Sequence, residues 1–121
     1  MLDGTDLISV AKQYFDAWNN QNTNHLSFLF DKDVVLQDWD ITATGKEDVV
    51  KANQNIFDSV NNISAEVQDI GYNDNKVYAE LLIKVLALDA VDPSDEDTIK
   101  VLDVITINDN SNITKISAYK Q

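Results

Sequence analysis

In the stretch Thr98-Ile99-Lys100-Val101-Leu102-Asp103-Val104-Ile105-Thr106-Ile107-Asn108 the residues are mostly apolar. Side chains of an extended strand alternate between two faces. Ile99, Val101, Asp103, Ile105 and Ile107 then share one face, which is apolar except for Asp103. An ionised carboxylate in such a row carries a large desolvation penalty unless it is paired. No Lys or Arg shares the row. Two readings stay open. In one, burial raises the pKa and leaves a neutral acid that donates a hydrogen bond, a perturbed group of the kind that marks functional sites. In the other, Asp103 lies near a sheet edge, hydrated or bonded to local backbone.

The neighbouring segments carry the same signature. Ile63–Ile70, Lys76–Leu88 and Ile113–Lys120 alternate or run apolar and read as further strands. Gly71–Asn75 and Asn108–Ser111 read as hairpin turns. Asp89–Asp97 is a longer, acidic connection that holds the only Pro. From Leu81 to Leu88 only Lys84 is charged, so both faces of that strand are largely apolar. One face covers helices, and a second subunit is the simplest cover for the other.

Helices precede these strands. Leu7, Ile8, Ala11, Tyr14, Phe15 and Trp18 recur at helical spacing, until Asn19, Asn20, Gln21 and Asn22 break the pattern. A short second helix is predicted to carry Leu26, Leu29 and Phe30. Val34–Asp38 reads as a short strand running into a loop. Thr44-Gly45-Lys46-Glu47 fits a capping box, with Thr44 as N-cap. It opens a third helix with Val49, Val50, Asn53, Ile56, Phe57 and Val60 facing inward. Helices followed by antiparallel strands imply one α+β domain over residues 1–121.

Composition narrows the function classes. With 9 basic and 21 acidic side chains the formal charge is -12. Such a surface repels nucleic acid phosphates and anionic lipid. The absence of Cys excludes disulfides, thiolate catalysis and Cys-ligated metals. His25 is the only histidine, so a His-based catalytic pair or a multi-His metal site is excluded. No apolar run reaches membrane-spanning length, and Met1–Asp6 lacks the basic and apolar parts of a signal peptide. A cytoplasmic protein is the default expectation.

Two further polar groups stand out. Tyr14 sits on the inward face of the first helix, where its hydroxyl needs a partner. Asp38 ends a short strand and precedes Trp39, and Asp40 competes with it for the same face. The bland alternatives are a core tyrosine bonded to backbone, and a solvated turn-forming acid.

The order helix, short helix, strand, helix and then four strands resembles the cone-shaped, cystatin-like fold of nuclear transport factor 2-like and SnoaL-like proteins. The functional resemblance is to bacterial ketosteroid isomerases. It rests on the interval from Lys12-Gln13-Tyr14 to Leu36-Gln37-Asp38, on Leu29-Phe30-Asp31-Lys32-Asp33 between them, and on Leu102-Asp103 in a late strand. The resemblance implies three helices packed on a curved, mainly antiparallel sheet. It implies Asp38 as general base, with Tyr14 and a neutral Asp103 donating to the developing oxyanion. Acid–base tuning of this kind, with one carboxylic acid kept neutral to donate a hydrogen bond, is established for ketosteroid isomerase. No metal or organic cofactor is then needed. A small apolar ligand would be lined by Trp18, Trp39, Phe57, Val101, Ile105 and Ile116.

The chain departs from that pattern in places. Asn53 falls where some relatives have a further Tyr, and the loop after Asp38 is shorter and carries Trp39 and Asp40. A large indole there shrinks the pocket, and a second carboxylate opposes ionisation of the first. The fold also hosts binding modules and assembly domains, so it does not by itself decide activity.

Overall fold

The computed structural model describes residues 2–121. Asp3 starts the first helix: its side chain accepts from the Asp6 N–H at 2.9 Å, and Asp6 accepts from the Asp3 N–H at 3.3 Å. This reciprocal cap satisfies two of the free donors at a helix start. Helix α1 (Gly4–Asn19) follows, burying Leu7, Val10, Ala11, Tyr14 and Phe15. Helix α2 (Thr23–Leu29) is capped by the Asn22 side chain, which accepts from the His25 N–H at 3.1 Å.

Phe30 is not the last residue of α2, contrary to its apolar spacing. Its N–H still bonds to the Leu26 carbonyl, but its backbone is extended at φ -82 and ψ 137. It opens strand β1 (Phe30–Gln37), which is longer than Val34–Asp38 and stops before Asp38. A short strand β2 (Thr42–Thr44) then pairs back on β1, with Thr44 opposite Val35. That pairing overrides the expected capping box. Helix α3 (Lys46–Asp58) is instead capped at Gly45, with no side-chain bond. Gly45 has φ 92, a conformation in which a Cβ is strained, and its N–H bonds to the Val34 carbonyl at 2.8 Å. Val60, expected on the inner face of α3, lies outside the helix and begins the next strand, opposite Ala87.

Strands β3 (Val60–Asn73), β4 (Lys76–Ala87), β5 (Asp97–Ile107) and β6 (Ile113–Lys120) complete the sheet. Gly71 continues β3, and the turn falls at Asp74, which has φ 55. The acidic link between β4 and β5 includes a single 3-10 turn, Pro93–Asp95. The strand order is β2-β1-β6-β5-β4-β3, with only β1 and β6 parallel. Helix α3 packs on β1 and β2 at one end of this order and on β3 at the other. A flat sheet cannot bring those ends to one helix, so the sheet curls. Register shifts in β1, in β3 and between β5 and β6 supply local bends. The helices cover the concave face, where Val77, Ala79, Leu81, Val101, Ile105 and Ile116 are buried. The result is an α+β architecture of three helices on an open, mostly antiparallel sheet. Among the described residues, no helix is long and apolar enough to cross a membrane.

One polar contact ties the layers. Asn19 ends α1, and its side-chain amide donates to the Ala65 carbonyl at 2.9 Å and accepts from the Ala65 N–H at 2.7 Å. Ala65 lies on edge strand β3, so Asn19 stands in for the missing strand neighbour. Replacing Asn19 by Ala leaves both backbone groups of Ala65 without that partner. The expected cost is about 1–3 kcal/mol in urea unfolding, from two partly buried bonds. A change below about 0.5 kcal/mol would show that water replaces the amide at no cost.

Candidate functional site

The concave face and the helices enclose a cavity of about 220 Å³. Its floor is decided by strand alternation. Asp103 projects inward from β5, flanked across the strands by Ala79 on β4 and Ala118 on β6. Both flanking side chains are a single methyl group, so nothing from the neighbouring strands covers the carboxyl. It is only 7% exposed, yet it lines the cavity. Burial, followed by repulsion from Asp38, pushes its pKa up from 3.8 to about 7.

Tyr14 enters the same cavity from α1 and is 4% exposed. Burial, followed by the charge of Asp103, raises the phenol well above its ordinary value. No hydrogen bond from the protein offsets the cost of ionising either group. Both therefore favour the protonated form, which donates a hydrogen bond. Every fully enclosed side-chain nitrogen and oxygen among the described residues has a partner. The open hydrogen-bonding capacity of Tyr14 and Asp103 thus faces the cavity.

Asp38 follows β1 and is half-buried at the cavity wall. Its Oδ1 accepts from the Asp40 N–H at 2.7 Å and the Ile41 N–H at 2.6 Å. The turn-forming reading of Asp38 therefore holds, and the residue also faces the site. The turn fixes one oxygen and leaves Oδ2 outside both bonds. Asp40 lines the mouth as well, but is exposed. Trp39 stands between them, 45% exposed, with the Lys120 ammonium 5.9 Å from its ring centroid.

The structure brings Tyr14, Asp38 and Asp103 to one cavity, together with Trp18, Trp39, Val101 and Ile116. Two expected lining residues need correction. Ile105 is fully buried beneath the cavity, paired across the sheet with Val77 and Ile116. Phe57 stands behind Trp18, edge-on at 5.3 Å between ring centroids. Alternation and helical spacing give the correct face for each, but not its depth.

Asn53 is the lining residue whose task the sequence did not reveal. It is buried on α3, its Oδ1 accepts from the Trp18 indole N–H at 3.0 Å, and its Nδ2 donates to the Val49 carbonyl at 2.9 Å. A polar residue on an otherwise apolar helix face is the available signal. Leu81, Ile83 and Val85 of β4 also line the cavity and could be found from the alternation of that strand. Among the described residues, no three His, Cys, Asp or Glu side chains are grouped to hold a metal ion.

Known structures share this architecture. An LEH-like epoxide hydrolase from M. tuberculosis is 15% identical with a TM-score of 0.82, the match covering 98% of this chain and 84% of that one. A protein with a ketosteroid isomerase-like fold from Catenulispora acidiphila, in complex with trimethylamine, is 18% identical with a TM-score of 0.81, over 91% and 83% of the two chains. An NTF2-like protein of unknown function from Burkholderia pseudomallei is 10% identical with a TM-score of 0.84, over 96% and 91%. At these identities the likeness shows the fold alone. No curated protein matches the sequence. The sequence pattern of the SnoaL-like domain, in contrast, matches residues 11–116, from α1 to the cavity wall on β6. The chain therefore belongs to the SnoaL-like domain family.

Proposed function

We propose that this protein is an acid–base enzyme, working without a cofactor, that moves a proton within a small apolar carbonyl compound, as ketosteroid isomerases do. The observation that carries this reading is the buried Asp103 carboxyl, free of protein partners and held up to about 7, in one cavity with Tyr14 and Asp38. In this reading the substrate carbonyl oxygen lies against Tyr14 and protonated Asp103. Asp38 Oδ2 takes a proton from the adjacent carbon: the C–H bond breaks, an O–H bond forms, and the electron pair moves to the carbonyl oxygen. Asp38 then returns the proton to another carbon of the conjugated system. Preorganised donors contribute several kcal/mol here because charge reaches the oxygen only as the reaction proceeds.

Cavity size and lining set the substrate class. A volume of about 220 Å³ lies below the roughly 300–1,000 Å³ of pockets for drug-sized ligands. The walls are mostly aliphatic and aromatic, with Trp18 and Trp39 among them. This supports a compact substrate smaller than a steroid. A second reading, a module that binds such a ligand without turnover, is favoured by the structural task Asp38 already has in its own turn.

Asp38→Asn separates the two. Asn keeps the Oδ1 acceptor, and so the turn, but cannot act as base. Turnover of a small conjugated ketone should drop by about 10²-fold or more, with ligand affinity similar or tighter. Unchanged turnover would remove Asp38 from the mechanism.

Asp103 can be followed directly. A ¹³C-carboxyl NMR titration should show its midpoint near 7. Between the unfolded and folded values the native state keeps a proton that the unfolded chain has lost. Stability should therefore fall as pH rises from about 4 to 7, then level off, and Asp103→Asn should lack this fall. An ordinary carboxylate midpoint would end the role of Asp103 as donor.

We also propose that two copies pair through the uncovered sheet face, where Tyr78 of β4 lies opposite Val104 of β5 and Leu82 is diagonal to Leu102. Tyr78 and Tyr119 are exposed on that face, opposite Val104 and Leu102. Light scattering at micromolar concentration should give a dimer mass, and a monomer mass would reject the pairing.

A further inference from the structure

The cavity contains more negative charge than carbonyl chemistry requires. Asp38, Asp40 and Asp103 all line it, and no Lys, Arg or His does. Among the described residues the ion pair formed is Lys84 with Glu66, on the opposite face of the sheet, and none of these three acids takes part in one. Asp103 is the decisive member. It is an unpartnered carboxyl, 7% exposed, that opens only to the cavity.

The groups facing Asp103 can be named element by element. Tyr14 comes from α1, and Asp38 and Asp40 come from the loop after β1. Uncharged Asn53 comes from α3. Its cross-strand neighbours on β4 and β6 are Ala79 and Ala118. The only charges among these groups are negative, and the charge of Asp38 acts on Asp103 directly. Repulsion between two such carboxylates becomes attraction to both when a cation stands between them, and low local dielectric strengthens this. Aromatic faces add to the effect. The ring of Trp39 already has the Lys120 ammonium 5.9 Å from its centroid. A net charge of -12 enriches cations around the whole protein.

We propose that this cavity also takes a small hydrophobic amine as its ammonium ion, seated between Asp38 and Asp103 with its apolar body against Trp18, Leu36 and Ile116. This goes beyond the carbonyl reading and does not depend on turnover. Protonated Asp103 donates to a carbonyl oxygen, whereas ionised Asp103 accepts from an ammonium group. The midpoint near 7 places both states within a working pH range. One residue thus selects between two ligand classes, and the amine competes with the carbonyl compound.

The probes are cyclohexylammonium and its neutral analogue cyclohexanol, titrated by calorimetry into the intact protein. Cyclohexylamine stays protonated throughout. Its affinity should rise about tenfold between pH 6 and pH 8, as the ionised fraction of Asp103 rises. At pH 7 binding should release roughly half a proton per ligand, read from the dependence of the heat on buffer. Cyclohexanol should show no such rise. In Asp103→Asn, shown folded by its melting curve at pH 8, the pH dependence should vanish and amine affinity at pH 8 should fall about tenfold or more. Amine affinity that is independent of pH, matched by the alcohol at pH 8, or unchanged in Asp103→Asn would each overturn the proposal. Absent amine binding with intact ketone turnover rejects this inference alone. Amine binding without turnover rejects the enzyme reading alone.

Discussion

A carboxyl group without a partner inside an apolar sheet face is the constraint around which this molecule is arranged. Asp103 is raised from 3.8 to about 7. At neutral pH that displacement corresponds to a destabilisation on the order of 4 kcal/mol. Small domains have only about 5–15 kcal/mol of net stability. A Val or Ile at this position would continue the row of Val101 and Ile105 and avoid the cost. The surroundings do nothing to relieve it either. Ala79 and Ala118 keep the carboxyl uncovered, and the nearby charge is that of Asp38. A polar group kept at such a cost, and kept open to a cavity, is of the kind that marks functional sites, which is why the proposed function centres on it.

The fold supplies the other requirements of such a site. The sheet curls so that α3 reaches both of its ends, which places the loop after β1 over the middle of β5. Helix α1 carries Tyr14 across the same space, and Asn19 holds the end of that helix to the β3 edge. Asp38 is positioned by its own turn, through bonds that do not involve the cavity. Each polar group is therefore placed by backbone structure and not by bonds to the other two. Such placement leaves their hydrogen-bonding capacity for a ligand, which preorganisation requires.

Much of this was legible in the chain itself, because strand alternation is a strict rule. The inward row of β5 follows from its residues alone, and Asp103 is conspicuous in it. The apolar spacing of α1 likewise places Tyr14 inside. Other features depend on tertiary pairing that no local pattern reports. Thr44 has the chemistry of a cap, but pairing with Val35 engages it in β2, and Gly45 takes the cap position. Phe30 continues the apolar spacing of α2 but belongs to β1. Ile105 and Phe57 show the same limit within the site. Periodicity says which side faces inward, but depth depends on what packs above. Ile105 is fully buried between Val77 and Ile116 on the adjacent strands, and Phe57 packs edge-on against Trp18.

Trp18 and Asn53 separate the size of the cavity from its chemistry. The indole N–H of Trp18 is held by the Asn53 Oδ1, and its ring is braced by Phe57. Asn53 is itself anchored to the Val49 carbonyl, so its amide is fixed in orientation. A tyrosine at Asn53 would lack the amide oxygen that accepts from the indole, and would add bulk inside the wall. Asn53 therefore uses its polar capacity on a wall residue and not on the ligand. In the proposed reaction the oxyanion is then left with the two donors Tyr14 and Asp103, and an indole held by Asn53 stands in the wall beside them. Trp18 and Asn53 both line the cavity of about 220 Å³. Chemistry set by Asp103 and size set by the Asn53–Trp18 pair can then vary independently within one fold, as expected where function resides in the site and not in the fold.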